Sequence, residues 1–298
     1  MNVRLLHSGP ASGEDAARLH ALTSIAGDRV EPRRLAWELA GEGFTALIAD
    51  AGERFEGVLT VETLPSVYTG RLWSHLDDVV VRHEDEVVLR SLLTEAIRRL
   101  RQAGAVDASI AVPGRGGAVE RACRSCGFGD EELQVLVREG GVGLPATGPS
   151  GVNVRPASRD DVVSIVGLVR LFAEEYGEPC GADSASVLDY LRNAAVGALL
   201  AHADDEPVGL LAHSASFRPS YGRCGTIDDL VVRPDVRRRG IATALLDRAL
   251  RRFSATGAER VSLWLQPGND AALSLYGRWG FQHEGTLLVR HETASPDR

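Results

Sequence analysis

The chain contains no lysine: all 33 of its basic residues are arginine, against 41 acidic residues and a formal net charge of −8. The missing lysine fits a GC-rich coding bias and carries no mechanism. A general nucleic-acid binder neutralises phosphates with a broad positive surface, and neither half of this chain has the charge for one. The composition therefore predicts no nucleic-acid partner.

Long apolar runs and cysteines are also scarce. No apolar stretch approaches the ~18 residues of a membrane-spanning helix, and the first ten residues lack the apolar core of a signal peptide. We therefore expect a cytoplasmic protein without a membrane partner. Four cysteines do not form a disulfide framework in 298 residues. Cys123 and Cys126 have metal-ligand spacing but no second pair follows, so buried thiols are favoured and no metal is predicted.

What is present is an internal repeat in a chain long enough for about two domains at ~100–200 residues each. Residues 76–82 (LDDVVVR) recur as residues 227–233 (IDDLVVR), and residues 126–128 (CGF) recur as residues 279–281 (WGF). An uncharged segment rich in glycine and proline separates the two copies. The sequence predicts two similar domains, residues 1–141 and 152–298, joined by a linker at residues 142–151.

The second copy has the apolar periodicity of a mixed α+β domain. A capping box that opens at Ser158 predicts a helix through about Tyr176. Alternating and β-rich runs predict strands, and apolar positions at helical spacing predict two further helices. The predicted strands cover residues 196–203, 207–216, 226–233, 261–266 and 281–290, and the two helices cover residues 240–253 and 270–279. The expected architecture is a central, mostly antiparallel sheet flanked by helices.

The most informative segment is the turn RRRGIA at residues 237–242, between a predicted strand and a predicted helix. Such a turn presents unpaired N–H groups at the positive end of the helix dipole. Gly240 permits close approach of the backbone, small Ala242 keeps the first helical turn open, and the arginines add positive charge. The segment suits a pyrophosphate, although it is neither a P-loop nor a dinucleotide fingerprint. The alternative is a solvated arginine run at the start of an ordinary helix.

This segment and a second one downstream resemble a known family. Arg237-x-x-Gly240-x-Ala242, after residues 229–234 (DLVVRP), closely resembles the acetyl-CoA signature of the GNAT superfamily of N-acetyltransferases. Residues 269–281 (NDAALSLYGRWGF) resemble the family's helix that is preceded by asparagine and carries a tyrosine shortly before Gly-Phe. The two motifs stand in the family's order over residues 225–285, so the resemblance covers the C-terminal copy.

The resemblance implies two tandem GNAT-like domains of α+β (α/β mixed) class, with acetyl-CoA as cosubstrate. It implies that the backbone of Val231 and Val232 pairs with the pantetheine arm and that Asn269 holds this arm from the other side. Tyr276 would protonate the departing thiolate. The alternatives are that Asn269 only caps its helix and that Tyr276 is a core residue. The implied cofactor-binding residues are Leu230, Val231, Val232, Arg237, Arg238, Arg239, Gly240, Ile241, Ala242, Thr243, Asn269 and Tyr276.

Direct transfer to an amine needs a group that takes its proton. The candidates are Asp228, Asp229, Glu174, Glu175 and His213. Residues 174–176 resemble the start of the family's substrate-facing loop, so Glu174, Glu175 and Tyr176 are candidate substrate residues. Asp228 and Asp229 resemble an acidic pair that steers cationic amines, but the first copy keeps this pair too, which favours a structural role. His213 is expected to be a satisfied core histidine, and the base stays open between these residues.

The first copy has lost the cofactor motif. Its equivalent turn contains no glycine and three acidic residues, which would repel a pyrophosphate. Cys123 stands where the second copy has Tyr276, and Gly116 stands where it has Asn269. A helical face survives (Val88, Leu92, Leu93, Ala96, Ile97 and Leu100), so we expect an intact but non-catalytic domain. Such a copy can wall the acceptor site, cover a surface, or bind a regulator.

The sequence therefore predicts an N-acetyltransferase that transfers an acetyl group from acetyl-CoA to a primary amine. We expect direct attack on the thioester in the C-terminal domain, with Asp229 and Tyr276 as the catalytic residues. The expected partner is a small-molecule amine, and the expected state is a monomer or homodimer. The alternatives are an acyl-CoA sensor or partner-docking protein without turnover, and an enzyme that acetylates proteins.

Overall fold

A computed structural model describes residues 2–7, 13–25, 30, 45–105, 107–112, 116–140, 152–177 and 179–291. The linker predicted at residues 142–151 lies outside the described residues, and the domain bounds stay a prediction. In the N-terminal half the described elements are β1 (Asn2–His7), α1 (Gly13–Thr23), β2 (Thr45–Asp50), β3 (Phe55–Pro65), β4 (Leu72–Val81), α2 (Glu86–Ala103), β5 (Asp107–Val112), α3 (Ala118–Ser125) and β6 (Glu131–Glu139).

The described elements of the C-terminal half are β7 (Asn153–Pro156), α4 (Val162–Tyr176), α5 (Ser184–Arg192), β8 (Val196–Ala203), β9 (Glu206–Arg218), β10 (Gly222–Val232), α6 (Ile241–Ala255), β11 (Arg260–Leu265), α7 (Asp270–Arg278) and β12 (Gln282–His291). They follow the same order, and α5 stands where residues 31–44 of the N-terminal half lie outside the described residues. The capping box at Ser158 and Asp161 is present, in a short turn of 3-10 helix before α4. The helices and strands predicted for this half form within a few residues of their expected bounds, whereas α5 was not predicted.

The twelve described strands belong to one sheet, in the order β1-β2-β3-β4-β5-β12-β6-β11-β10-β9-β8-β7. Two neighbouring pairs are parallel, β4 with β5 and β10 with β11. The other pairs are antiparallel, as expected for a mostly antiparallel sheet. The mixed α+β architecture that the sequence predicts is therefore confirmed.

The two halves exchange their last strands. β12, from the C-terminal half, lies between β5 and β6 and pairs with both. β6, from the N-terminal half, pairs with β11 on its other side. Each half therefore completes its sheet with a strand of the other, and the centre of the sheet lies between β6 and β12.

An arginine on each exchanged strand fixes it to the other half. Arg138 on β6 donates through Nε to the carbonyl oxygen of Trp279 at 2.8 Å. Arg290 on β12 donates through Nη1 to the carbonyl oxygen of Cys126 at 2.6 Å. The two acceptors occupy equivalent positions in the repeated Gly-Phe turns, so the exchange has matching contacts on both sides.

Helices cover both faces of the sheet. In the N-terminal half α2 and α3 pack on one face and α1 on the other, and the apolar face predicted for α2 is buried. Cys123 is fully buried in this core, as expected for a packing thiol. In the C-terminal half α6 and α7 share one core, and α4 and α5 share another. Among the described residues no helix is both long enough and apolar enough to cross a membrane.

Candidate active site

The site is an opening between two parallel strands. β10 and β11 remain in register only as far as Ile227 and Leu263. The register of β10 against β9 shifts between Ile227 and Asp229, and β10 continues to Val232. Beyond the shift, one backbone edge of β10 therefore faces an opening rather than a neighbouring strand.

The register decides which backbone groups face this opening. In an antiparallel pair, residues that exchange hydrogen bonds alternate with residues that do not. The Arg233 N–H donates to the Val208 carbonyl oxygen of β9 at 3.0 Å. The backbone groups of Val232 and Leu230 therefore point away from β9, while those of Val231 point towards it. The edge that faces the opening thus belongs to Leu230 and Val232, and the expected contact of Val231 with the pantetheine arm stays a prediction.

The turn after β10 leads into a helix whose N-terminus carries no side-chain cap. Arg238 and Gly240 adopt the left-handed conformation, with φ of 64° and 81°. Gly240 stands at the N-cap of α6 and has no side chain to bond the first-turn amides. Ile241 is buried, whereas Ala242 and Thr243 in the same turn are partly accessible. This is the arrangement that binds phosphate groups at helix N-termini.

The arginines of the turn divide into two kinds. Arg238 and Arg239 are exposed. The Arg237 guanidinium instead donates to the Val232 carbonyl oxygen at 3.0 Å and forms a bidentate ion pair with Glu175, with Nη1 2.6 Å from Oε1. This contact ties the end of α4 to the end of β10. Arg237 and Glu175 therefore occupy each other, which differs from the cosubstrate and substrate contacts expected for their side chains.

The other two candidates at the end of α4 face outwards. Glu174 is exposed, and the Tyr176 side chain is 54% exposed, with its ring 4.6 Å from that of Phe172. Neither residue lines the cavity described below. His213 is buried, and its Nδ1 has no hydrogen-bond partner among the described residues. Burial lowers the pKa of His213 to about 4. It is thus a core histidine as expected, although it is not a satisfied one.

Tyr276 and Asn269 lie on and before α7. Tyr276 is 4% exposed and its ring meets Phe281 edge to face at 5.6 Å. Burial and the nearby Asp229 carboxylate raise its pKa above the usual value, so the phenol stays protonated. The Asn269 side-chain oxygen accepts from the Ala272 N–H at 3.1 Å and caps α7. Its amide nitrogen is then the group left for a ligand contact.

Asp228 and Asp229 form a carboxylate pair at the bulge where the opening begins. Among the residues that the structure describes, neither forms an ion pair. The Ser214 hydroxyl donates to Asp228 at 3.1 Å. Burial and the neighbouring Asp229 raise the pKa of Asp228, and burial raises the pKa of Asp229 to about 6. A carboxylate with such a pKa is a stronger base than an exposed one, yet still ionised at neutral pH.

These carboxylates line a cavity of about 120 Å³ between the two halves of the chain. Tyr190 and Trp264 line it from the C-terminal half, and the N-terminal half contributes residues 64–69, Trp73 and His75. The repeat suggested that the N-terminal copy can wall a site, but no local motif marked these residues. Trp264 follows Leu263, the last residue of β11 that is in register with β10, and therefore lies where the opening begins.

The N-terminal copy has closed the equivalent features. Asp85 is the N-cap residue of its helix α2, and the Asp85 carboxylate accepts from the N–H groups of Val87 and Val88 at 2.8 and 3.2 Å. The amides that are open in α6 are therefore satisfied in α2. Its acidic pair is also occupied, because Arg218 lies 2.9 Å from Asp77.

Comparisons with known proteins agree with this geometry. Residues 165–281 match the model of the acetyltransferase (GNAT) family. An uncharacterized N-acetyltransferase of Methanocaldococcus jannaschii is 30% identical over 90 residues, which are 30% of this chain and 40% of that relative's length. The chain thus spans well under two thirds of the relative. Residues 165–281, in the C-terminal half, are therefore similar to the GNAT family of acetyltransferases.

Solved structures show the same fold over the whole chain. A tandem GNAT protein from the clavulanic acid biosynthesis pathway has a TM-score of 0.57 at 13% identity, covering 99% of this chain and 100% of that one. A GCN5-related N-acetyltransferase from Sphaerobacter thermophilus has a TM-score of 0.59 at 18% identity, with 98% of each chain covered. At these identities the likeness shows the fold alone. Within the described ranges, no group of three or more metal-ligating side chains could hold a metal ion.

Proposed function

We propose that this protein is an acetyl-CoA-dependent N-acetyltransferase that acts on the primary amine of a small molecule in its C-terminal half. The observation that carries the proposal is the opening beside β10, which leads to the uncapped N-terminus of α6. The N-terminal copy has the same elements, but Asp85 caps its helix. One chain thus holds an open and a closed version of one phosphate site.

The residues of the open site suit the cosubstrate. The first-turn amides of α6 would bind the pyrophosphate, with Arg238 and Arg239 adding positive charge. The backbone groups of Leu230 and the N–H of Val232 would pair with the amides of the pantetheine arm, while the Val232 carbonyl oxygen accepts from Arg237. The Leu230 N–H, nearest the bulge, would polarise the thioester carbonyl.

Two side chains would move protons. The Asp229 carboxylate accepts a proton from the substrate ammonium group, and the resulting neutral amine nitrogen attacks the thioester carbonyl carbon. The Tyr276 hydroxyl gives its proton to the sulfur as the C–S bond breaks, and the second proton that the nitrogen loses restores the phenol. The electrostatic contact between these residues supports the pairing, because the Asp229 charge reaches the Tyr276 phenol. Transfer ends with an N-acetylated product, free CoA thiol and one proton released.

Calorimetric titration with acetyl-CoA tests this proposal. We expect one site per chain, and we expect Gly240→Asp to abolish it by placing a carboxylate at the α6 N-terminus. Gly167→Asp is a matched control, because Gly167 is exposed on α4 and a side chain there meets no neighbour within 4 Å. Two sites per chain would contradict the assignment to one half. Binding without CoA release across a panel of amines would leave a sensor rather than an enzyme.

A further inference from the structure

The hairpin between β3 and β4, which belongs to the N-terminal half, is built into the C-terminal half beside the cavity. Val67 is 1% exposed and packs in the apolar cluster of α4 and α5. The Cys180 thiol lies 3.5 Å from the Tyr68 carbonyl oxygen. A Cβ on Gly181 would lie 1.9 Å from the Thr69 carbonyl oxygen. Only glycine therefore fits at position 181 with the hairpin in place.

The reciprocal hairpin, between β9 and β10, makes a polar contact with the N-terminal half. Its Arg218 guanidinium lies 2.9 Å from the Asp77 carboxylate, and both side chains are nearly buried. The Ser220 N–H donates to Asp78 at 2.9 Å. The acidic pair of the N-terminal copy is therefore occupied by a cation of the same chain.

The strand registers show what stands in place of Arg218 on the other side. Leu76 pairs with Val61, and its repeat equivalent Ile227 pairs with His213. Continuing along both strands, Arg218 corresponds to Ser66. Ser66 lines the cavity next to Asp228 and Asp229. The repeat thus has a guanidinium at one acidic pair, and a serine and a cavity at the other.

We propose that this cavity is the acceptor site and that it holds the ammonium group of a small amine between the N-terminal hairpin and the Asp228–Asp229 pair. The inference rests on the proposed function and names its substrate class. The ammonium group takes the place that the Arg218 guanidinium occupies in the repeat. The N-terminal copy thereby contributes one wall of the active site.

The walls of the cavity set further limits on the acceptor. The same cavity is lined by four aromatic side chains, those of Trp73, Trp264, Tyr68 and Tyr190. Aromatic surface attracts cations and the methylene groups beside them. A cavity of about 120 Å³ is well below the ~300 Å³ of ordinary ligand pockets. It admits an amino group and a few carbons, so the remainder of a larger amine lies outside.

The first experiment tests charge recognition by placing an arginine at position 66, which is equivalent to Arg218 in the repeat. Ser66→Arg places a guanidinium where Arg218 has one, and Ser66→Gln is a neutral control of similar length. Both lose the turn contacts of the Ser66 hydroxyl with the N–H groups of Tyr68 and Thr69, so their difference reports the charge. We expect Ser66→Arg to lower kcat/KM for amines at least 10-fold below Ser66→Gln, with acetyl-CoA affinity within twofold of wild type. Equal activity of the two variants would overturn the proposal.

The role of the hairpin is tested at Gly181. Gly181→Ala must displace the Thr69 backbone, and we expect the amine KM to rise at least 10-fold while the acetyl-CoA dissociation constant is unchanged. Gly167→Ala on α4 is the control with open space around it. An unchanged amine KM in a folded Gly181→Ala protein would show that the hairpin is not a wall of the site.

A direct binding experiment separates this inference from the proposed function. Methylguanidinium resembles the end of the Arg218 side chain and is acetylated more slowly than an amine. Neutral N-methylurea has nearly the same shape and serves as the uncharged probe. Ligand-observed NMR on the full chain should show methylguanidinium binding that Ser66→Arg removes, with no binding of N-methylurea. Equal binding of both probes, or of neither, would overturn the ammonium site. If the wild-type protein bound methylguanidinium but not acetyl-CoA, only the proposed transferase function would be overturned.

Discussion

The burial of Asp229 has opposite effects on stability and on the proposed chemistry. Its backbone lies at the bulge of β10, and its half-buried side chain has no ion pair among the described residues. Burial raises its pKa from 3.8 to about 6, so at neutral pH the folded protein holds an ionised group in a poorly solvated place. The same shift makes the carboxylate a suitable proton acceptor for an ammonium group.

Asp229→Asn should separate these effects. A pKa that is raised in the folded state means that the folded state holds the proton more tightly. The free energy of unfolding therefore falls as the pH rises from about 4 to about 6, and the ionised group costs on the order of 3 kcal/mol above that range. We expect Asn to stabilise the protein at pH 8, measured by urea unfolding, with a smaller gain at pH 5.

The same substitution should remove activity. We expect kcat/KM to fall about 100-fold, and the decrease of wild-type activity below about pH 6 to disappear from the residual activity. A variant that is equally active would show that the proton leaves by another route. A variant that loses stability would show that Asp229 makes a structural contact.

Tyr276→Phe isolates the phenolic proton. The ring packs against Phe281 and is almost fully buried, so Phe retains the packing and loses only the hydroxyl. We expect kcat to fall about 100-fold, with little change in the calorimetric affinity for acetyl-CoA. An unchanged kcat would assign Tyr276 to the core alone.

At the scale of elements, the N-termini of α2 and α6 show how one turn gains or loses a ligand site. Both helices follow a strand whose parallel neighbour diverges. Asp85 gives α2 its own anion, so this end is satisfied without a ligand. Gly240 gives α6 none, and its positive φ of 81° is a conformation that glycine adopts at little cost.

Asp85→Ala tests this difference. We expect a loss of about 1 kcal/mol in the free energy of unfolding, because two amides of α2 lose their partner. Arg90→Ala, at an exposed position on the same helix, is the control. Calorimetry should still find one acetyl-CoA site, since His83 and Glu84 keep a turn without glycine. A second site would show that Asp85 alone closes the N-terminal copy.

The elements also show what sequence can and cannot predict here. β8 forms over the residues expected from its apolar run, and α4 begins after the predicted capping box, because both signals are local. The contact of Gly181 with Thr69 joins segments 112 positions apart. A glycine in a loop gives no sequence signal for the residue that it contacts. The Arg237–Glu175 pair likewise depends on how α4 and β10 meet in space.

The strand exchange depends on the whole molecule. β6 and β12 occupy equivalent positions in the repeat, so no local pattern states which sheet each one joins. Arg138 and Arg290, which fix the exchanged strands, are unremarkable in the sequence. The exchange joins the halves through one continuous sheet, and the β3–β4 hairpin lies against the C-terminal half. The N-terminal copy is thus part of the architecture that shapes the proposed active site.

Splitting the chain in the segment between β6 and β7 tests this dependence. The C-terminal fragment, residues 152–298, would lack β6, which lies between its own β11 and β12. It would thus expose unpaired strand edges. We expect it to aggregate or self-associate when produced alone. Mixing or co-producing it with residues 1–141 should give a 1:1 complex that binds acetyl-CoA once, measured by light scattering and calorimetry.

In the complex, Arg138→Leu should weaken association because it removes the bond to Trp279. A C-terminal fragment that is monomeric, folded and active on amines would show that neither the exchanged strand nor the hairpin is required.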